Sequence, residues 1–246
     1  PWLPGVMAIE SMAEAATLLA PGYHVLSVED VEMLGAFKFF HNEPRTLYLN
    51  VFVEPGDKGL NGRVTLRSIT PPAREGLPTR IQDHFHANVR LAPGAAATAA
   101  IDFSPPGEER LPTTAEQIYD LFFHGPAYQV IERAAVESDR TTAKMPHQLP
   151  PNSDPAGARS LMAPRLVELC FQAVAQWHVE TKDAIAFPIG AGSLVAYLQE
   201  EEAKGHSLFA IVVTGDDGES FDAQVVDENG RVYVALRDYR TVSRPG

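Results

Sequence analysis

The sequence predicts an α+β fold built from two similar halves. Three observations predict it. Two long segments carry apolar residues at helical spacing, each is followed by a run of strand-like segments, and a proline-rich stretch separates the two sets. The connections lack the strand–helix–strand alternation of parallel sheets, so two antiparallel sheets are expected, each wrapping one long central helix. Residues 1–104 form the first half, with its first strand expected upstream of Pro1. Residues 105–113 form the linker and residues 114–246 the second half. This is an internal duplication of architecture rather than of sequence.

The elements follow in order. After Pro4-Gly5, apolar residues at 6, 9, 12, 13, 16 and 19 mark one helix face, and Pro21-Gly22 ends it. Ala13, Ala15 and Ala16 are small enough to let other backbone approach closely. Strands are expected over 36–40, 46–53, 62–69 and 81–91, separated by turns at Glu54-Pro55-Gly56-Asp57 and Leu60-Asn61-Gly62. The stretch from Ser104 to Pro112 has linker composition. A short helix over 114–122 leads into the turn Phe123-His124-Gly125-Pro126 and a strand over 128–136. A loop over 147–155 precedes the second long helix, 159–179, whose apolar positions are 162, 166, 169, 170, 173, 174 and 177. Strands over 184–189, 193–198, 207–214, 220–226 and 231–240 complete the chain, with Glu228-Asn229-Gly230 as a hairpin turn.

Composition excludes several classes of function. With 246 residues, 45% of them apolar and 21% charged, the chain has ample material for a hydrophobic core and is not a disordered polyelectrolyte. Its net charge of −12 argues against nucleic acid and anionic membrane as general partners. No apolar run reaches membrane-spanning length. A single cysteine, Cys170, excludes an internal disulfide and fits a reducing, cytoplasmic setting. The start at Pro1-Trp2 has neither a methionine nor a leader pattern, as expected of a piece cut from a longer polypeptide.

Three motifs carry chemistry. Pro1-Trp2-Leu3-Pro4-Gly5-Val6-Met7-Ala8-Ile9-Glu10 resembles the central-helix motif of hotdog-fold hydroxyacyl-thioester dehydratases. Phe123-His124-Gly125-Pro126-Ala127-Tyr128-Gln129 is similar to the Tyr-Gly-Pro-x-Phe-Gln segment of polyketide synthase dehydratase domains. Ala163-Pro164-Arg165-Leu166-Val167-Glu168-Leu169-Cys170-Phe171-Gln172 resembles their His-Pro-x-Leu-Leu-Asp-x-x-x-Gln segment. They occur in the family's order, and the variant residues look most like those of polyunsaturated fatty acid synthases. The resemblance implies a double hotdog that dehydrates a 3-hydroxyacyl chain on acyl carrier protein to a trans-2-enoyl thioester. The phosphopantetheine arm of the carrier would enter a tunnel between the halves. No metal or redox cofactor is expected. Neighbouring synthase domains are expected partners, and a homodimer is compatible.

The resemblance also implies a catalytic histidine on the loop before the first helix, which falls a few residues upstream of Pro1. At the same offset before Glu168 stands Asp154. The usual aspartate is here Glu168, the tyrosine of the middle motif is His124, and the histidine of the third motif is Ala163.

Such a dehydration must remove a weakly acidic α-proton and protonate a poor leaving group. Histidine suits the first task near neutral pH. Glu168, within the apolar run Leu166 to Phe171, is expected to be a carboxyl whose burial favours the protonated form, and so to be the acid. Gln172 lies one turn on and would orient it. Gly5 and Val6 would place helix-terminal amides against the thioester carbonyl, and His124, Tyr128 and Glu10 are further candidates for the substrate site.

Each has a plainer reading. Glu168 or Glu10 could be a buried hydrogen-bonding group, Gln172 a solvent-facing residue, His124 a packed turn residue, and Tyr128 or Phe171 core. His84 and His86, at i and i+2, are expected on one strand face, a spacing two metal ligands could use, yet no third ligand is evident. Cys170 reads as a small core residue. Arg159, Arg165 and Lys182 are candidates for a basic patch facing an acidic carrier protein. The competing functions are a pseudo-dehydratase that binds acyl chains or braces neighbouring domains, and an isomerase or thioester hydrolase on the same fold.

Overall fold

The computed structural model describes residues 1–41, 43–72, 74, 76 and 78–245. Helix α1 (Gly5–Leu18) opens the first half and leads into β1 (His24–Met33), β2 (Tyr48–Gly56), β3 (Gly59–Thr70) and β4 (Arg80–Ala92). The second half begins with β5 (Thr113–Thr114), α2 (Ala115–Tyr119), β6 (Arg133–Val136) and β7 (Arg140–Lys144). Helix α3 (Pro164–Lys182) follows, then β8 (Ala184–Ala196), β9 (Leu208–Thr214), β10 (Ser220–Asp227) and β11 (Val232–Pro245). Short 3-10 turns lie at Glu108–Arg110, Pro126–Tyr128 and Glu200–Ala203. No helix among the described residues is long and apolar enough to cross a membrane.

The two expected sheets are one. All eleven strands join in the order β2-β3-β4-β1-β8-β11-β10-β9-β7-β6-β5, and every recorded pairing is antiparallel. The seam is the pairing of β1 with β8, where Val28 faces Leu194 and Val31 faces Ala191. On either side of the seam the order repeats. A helix precedes the seam strand, and three antiparallel strands return beside it, β2-β3-β4-β1 in one half and β9-β10-β11-β8 in the other. Helix α1 packs on β1 to β4, α3 packs on β6 to β11, and the helices touch each other. Val6, Ile9 and Met12 of α1 share a single apolar core with Leu166, Leu169 and Val174 of α3.

Strand β1 was not expected from the sequence, although it joins the halves. Register shifts between Val25 and Ser27 and between Glu29 and Glu32 interrupt its alternation, and Asp30 takes a positive φ of 51°. These are β-bulges, which break the period-2 pattern that marks a strand. Conversely, residues 36–40 are not a strand and contribute only the bridge Trp2–Lys38. Leu60-Asn61-Gly62 lies inside β3, because the hairpin turns two residues earlier, with Gly56 paired to Gly59. The segments 184–189 and 193–198 are largely one strand, β8. Residues 159–163 precede α3 rather than begin it, since Pro164 occupies its first turn. The linker is not free either. Leu111 is buried with Phe209, Ile211, Val226 and Val232, and Ile101 and Phe103 pack beside them.

The seam depends on a close approach. A Cβ at Gly190 would overlap the carbonyl oxygen of Val31 on β1, so only glycine lets the two strands pair at this point. Gly190→Ala should therefore destabilise the protein by about 1–3 kcal/mol, the usual penalty for overpacking. Urea unfolding of the variant tests this, and an unchanged midpoint would contradict the seam.

Candidate active site

Helix α3 is buried on every side from Pro164 to Val174, so its polar side chains must find partners inside the protein. Its start is fixed from the other half of the chain. Both carboxylate oxygens of Glu10 on α1 accept backbone N–H groups, from Leu161 at 2.5 Å and from Met162 at 2.8 Å. Ala163 follows in the left-handed region, φ 48°, as the N-cap of α3. A non-glycine residue there is strained and persists only where its surroundings hold it. The Glu10 clamp supplies that hold, and through it α1 sets where α3 begins.

Five residues into α3 comes Glu168, 7% exposed. Around it runs a chain of hydrogen bonds whose direction is fixed by a backbone carbonyl. The Tyr128 carbonyl can only accept, so the Gln172 amide nitrogen faces it at 2.8 Å and also donates to Glu168 Oε1 at 3.0 Å. Gln172 Oε1 therefore lies on the other side, where it accepts from the Tyr119 O–H at 2.8 Å, and the Tyr119 oxygen accepts from Ile131 N–H at 2.8 Å. Glu168 Oε2 has no hydrogen-bond partner among the described residues.

The same Oε1 also meets His124. Its Nε2 lies 3.1 Å away, and the ring stacks on Phe123 at 4.9 Å with 14° between planes. Three phenols lie nearby, and burial pushes Tyr119, Tyr128 and Tyr239 above their ordinary values. They stay neutral donors at physiological pH.

The N-terminus of α1 closes the site. A Cβ on Gly5 would lie 3.8 Å from Phe171, which shares a helix face with Glu168 three residues before it. Tyr128 O–H donates to Met7 Sδ at 3.0 Å. Among the described residues the Gly5 and Val6 amides have no acceptor, while those of Met7 and Ala8 bond Pro4. The side chain of Val6 is core.

Thus the structure brings Gln172 and His124 to the Glu168 carboxyl, ties Tyr128 to Gln172 through its carbonyl, and sets Gly5 beside Phe171 on the same face of α3. Glu10 lies apart from this network with both oxygens engaged. Glu10 and Met7 also line a cavity of about 110 Å³ whose other wall is the 158–166 segment with Gln199 and Glu200 of the second half. Tyr119 was missed by sequence reasoning, and no motif marks it. Asp154 is exposed in the loop before α3.

Other expectations change. His84 and His86 do not share a face. His84 is buried between Ser68 and the Gly35 carbonyl, whereas His86 meets Asp83 and Glu32 near the surface, because the β3–β4 register shifts beside them. No cluster among the described residues could hold a metal ion. Cys170 is core, and burial pushes its thiol up to about 12. Arg165 cannot join a basic patch, since it is buried against Glu200 at 3.3 Å and the Pro150 carbonyl. Arg159 lies before α3 and Lys182 at its far end, about 27 Å along a 19-residue helix.

The family model described as the polyketide synthase dehydratase N-terminal domain matches residues 108–245, more than half of the chain. The chain belongs to the polyketide synthase dehydratase family. One relative is a large polyunsaturated fatty acid synthase polypeptide of Thraustochytrium sp. (strain ATCC 26185 / S-3), 25% identical over 225 residues. That match covers 83% of this chain but spans only 8% of the relative's length. Among solved structures, the dehydratase domain from the CurF module of curacin polyketide synthase superposes with a TM-score of 0.77 at 20% identity, over 99% of this chain and 85% of that one. A trans-AT polyketide synthase dehydratase domain from Brevibacillus brevis gives 0.75 at 20% identity, over 98% and 85%. Both likenesses establish that this chain has their fold.

The Glu10 clamp is testable through pH. Burial, the largest influence, raises its carboxyl above the ordinary 4.5 against the two amides, which lower it. The folded state then holds this proton more tightly than the unfolded chain. Its contribution to stability is complete below the unfolded value and falls as pH rises through the folded one. Glu10→Gln cannot titrate, so from about pH 4 to about pH 7 the urea midpoints should shift in favour of the variant relative to wild type. A difference independent of pH would contradict the assignment.

Proposed function

We propose that this domain dehydrates a 3-hydroxyacyl thioester, carried on acyl carrier protein, to the trans-2-enoyl thioester within a polyketide or polyunsaturated fatty acid synthase. The observation that carries the reading is the buried Glu168 carboxyl, with Oε1 held by Gln172 and Oε2 left to meet a substrate. Family membership supports the reaction class.

In this reading a base takes the α-proton, a role the resemblance gives to the histidine expected upstream of Pro1. The electron pair of the Cα–H bond becomes the double bond. The Cβ–O bond breaks, its electrons stay on oxygen, and Glu168 Oε2 supplies the proton that lets it leave as water. The Gly5 and Val6 amides at the N-terminus of α1 would receive the charge that grows on the thioester carbonyl. The phosphopantetheine arm would enter between the two halves. Proton transfer and elimination balance without an electron carrier.

A dehydration assay with carrier-bound 3-hydroxyacyl substrates, on the chain extended upstream through the expected histidine, tests the reading. Glu168→Gln keeps the shape and the Gln172 bond but has no acidic proton, so turnover should fall by at least about 100-fold. Activity retained in this variant, or none in the wild type at any acyl length, would overturn the proposal and favour a non-catalytic acyl-binding role.

The glycine at position 5 gives an independent check. An added methyl would make only ordinary contacts with Met33 and Phe171, and alanine suits a helix better than glycine. Gly5→Ala should therefore fold with unchanged or higher stability while kcat/KM falls, because the methyl crowds the substrate carbonyl. Equal activity in the two proteins would remove α1 from the site.

A further inference from the structure

We infer that Tyr119 is a positioning residue for the candidate acid: its O–H, donated to Gln172 Oε1, holds the Gln172 amide where its nitrogen serves Glu168 Oε1. The catalytic meaning rests on the dehydratase reading, but the hold on Gln172 does not.

Gln172 is 1% exposed, so its polar atoms must find partners inside the protein. Both amide hydrogens are used, one on the Tyr128 carbonyl at 2.8 Å and one on Glu168 Oε1 at 3.0 Å. The carbonyl can only accept, which settles which end of the amide is nitrogen. The donation to Oε1 holds for a charged or a neutral carboxyl, because a carboxyl oxygen accepts in either form. At the opposite end of the amide, Gln172 Oε1 has a single donor among the described residues, the Tyr119 O–H at 2.8 Å. The terminal torsion of a glutamine is soft, and this bond is what stops the oxygen end from turning.

The phenol is itself held firmly. Its oxygen accepts the N–H of the fully buried Ile131 at 2.8 Å, and burial keeps its hydroxyl protonated. Phe122 packs edge-on at 6.4 Å. Tyr119 ends α2, and the start of that helix is tied down: Ala115 N–H donates to the Glu132 carbonyl at 3.0 Å, and Thr114 N–H donates to Gln117 Oε1 at 2.9 Å. One hydroxyl thus joins α2, the stretch ending at Ile131, and α3. Without it Gln172 Oε1 and Ile131 N–H are left buried and unpaired, a costly state. Gln172 then turns in search of a donor, its nitrogen leaves Glu168 Oε1, and Oε2 loses its fixed aim. A loss of aim acts on the chemical step more than on substrate binding, hence on kcat more than on KM.

The experiment pairs a crystal structure of Tyr119→Phe with kinetics on carrier-bound 3-hydroxyacyl substrate, in the chain extended upstream through the expected histidine. In the variant, Gln172 Nε2 should lie beyond hydrogen-bond reach of Glu168 Oε1. Its kcat should fall about three- to ten-fold, the worth of one hydrogen bond, with KM nearly unchanged. A double-mutant cycle with Gln172→Met separates positioning from packing. Once Gln172 is gone, Tyr119→Phe should change kcat by less than about two-fold, whereas a merely structural tyrosine would cost the same factor in both backgrounds. Thermal melts verify folding, and should Gln172→Met fail to fold, the crystal structure and the kcat–KM split of Tyr119→Phe decide alone. An unmoved Gln172 in the Tyr119→Phe crystal overturns the inference. So does a loss confined to KM, or an equal kcat loss with and without Gln172. A wild type without turnover overturns the catalytic meaning together with the dehydratase reading, and the Tyr119→Phe crystal then still decides the hold on Gln172.

Discussion

The pairing of β1 with β8 is the constraint from which the site follows. Four facing pairs, from Val28–Leu194 to Glu32–Gly190, merge what would be two sheets into one and bring the helices of both halves into contact. Only because the helices touch can the carboxylate of Glu10 on α1 capture the amides of Leu161 and Met162 and set the start of α3. Only from that start does α3 carry Glu168 toward the N-terminus of α1. The site therefore belongs to neither half alone, and a weakened seam would disturb the chemistry before it unfolded either sheet.

What distinguishes the Glu168 carboxyl is asymmetry rather than burial as such. One oxygen accepts from Gln172 of α3 and lies 3.1 Å from His124 of the 123–129 turn, while the other has no hydrogen-bond partner among the described residues. The order is imposed by a backbone carbonyl, that of Tyr128, which can only accept, and it reaches a phenol that burial keeps neutral. A buried network stabilises only when each member is satisfied. Here the asymmetry leaves a single oxygen for the substrate, and the neutral phenols around it add no competing base.

Much of the fold was legible because two long helices and most long strands announce themselves by period. Helix α1 falls at 5–18 against an expected start and end one residue away, and β9 and β10 lie almost where alternation put them. Strand β1 was illegible because its bulges and the positive φ of Asp30 scramble the inside–outside alternation. The fusion of the two sheets depended on that strand and was lost with it. In the site, the motif segments marked Glu168, Gln172, His124 and Gly5, since resemblance works on local sequence. The contact between His124 and Glu168, the second-half partners of Glu10, and the part played by Tyr119 are tertiary facts, made between elements far apart in the chain. The same holds for Arg165, which reads as a surface cation on a helix start and is instead buried against Glu200.

In the proposed mechanism Glu168 delivers its proton from Oε2 to the leaving hydroxyl of a carrier-bound chain, with the thioester carbonyl at the end of α1. The most direct measurement is a crystal structure of Glu168→Gln holding an unreacted 3-hydroxyacyl substrate on its phosphopantetheine arm. The 3-hydroxyl should lie within hydrogen-bond reach of the side-chain atom that replaces Oε2, and the carbonyl oxygen should face the Gly5 and Val6 amides. A 3-hydroxyl directed away from residue 168, with the acyl chain seated elsewhere, would contradict the mechanism.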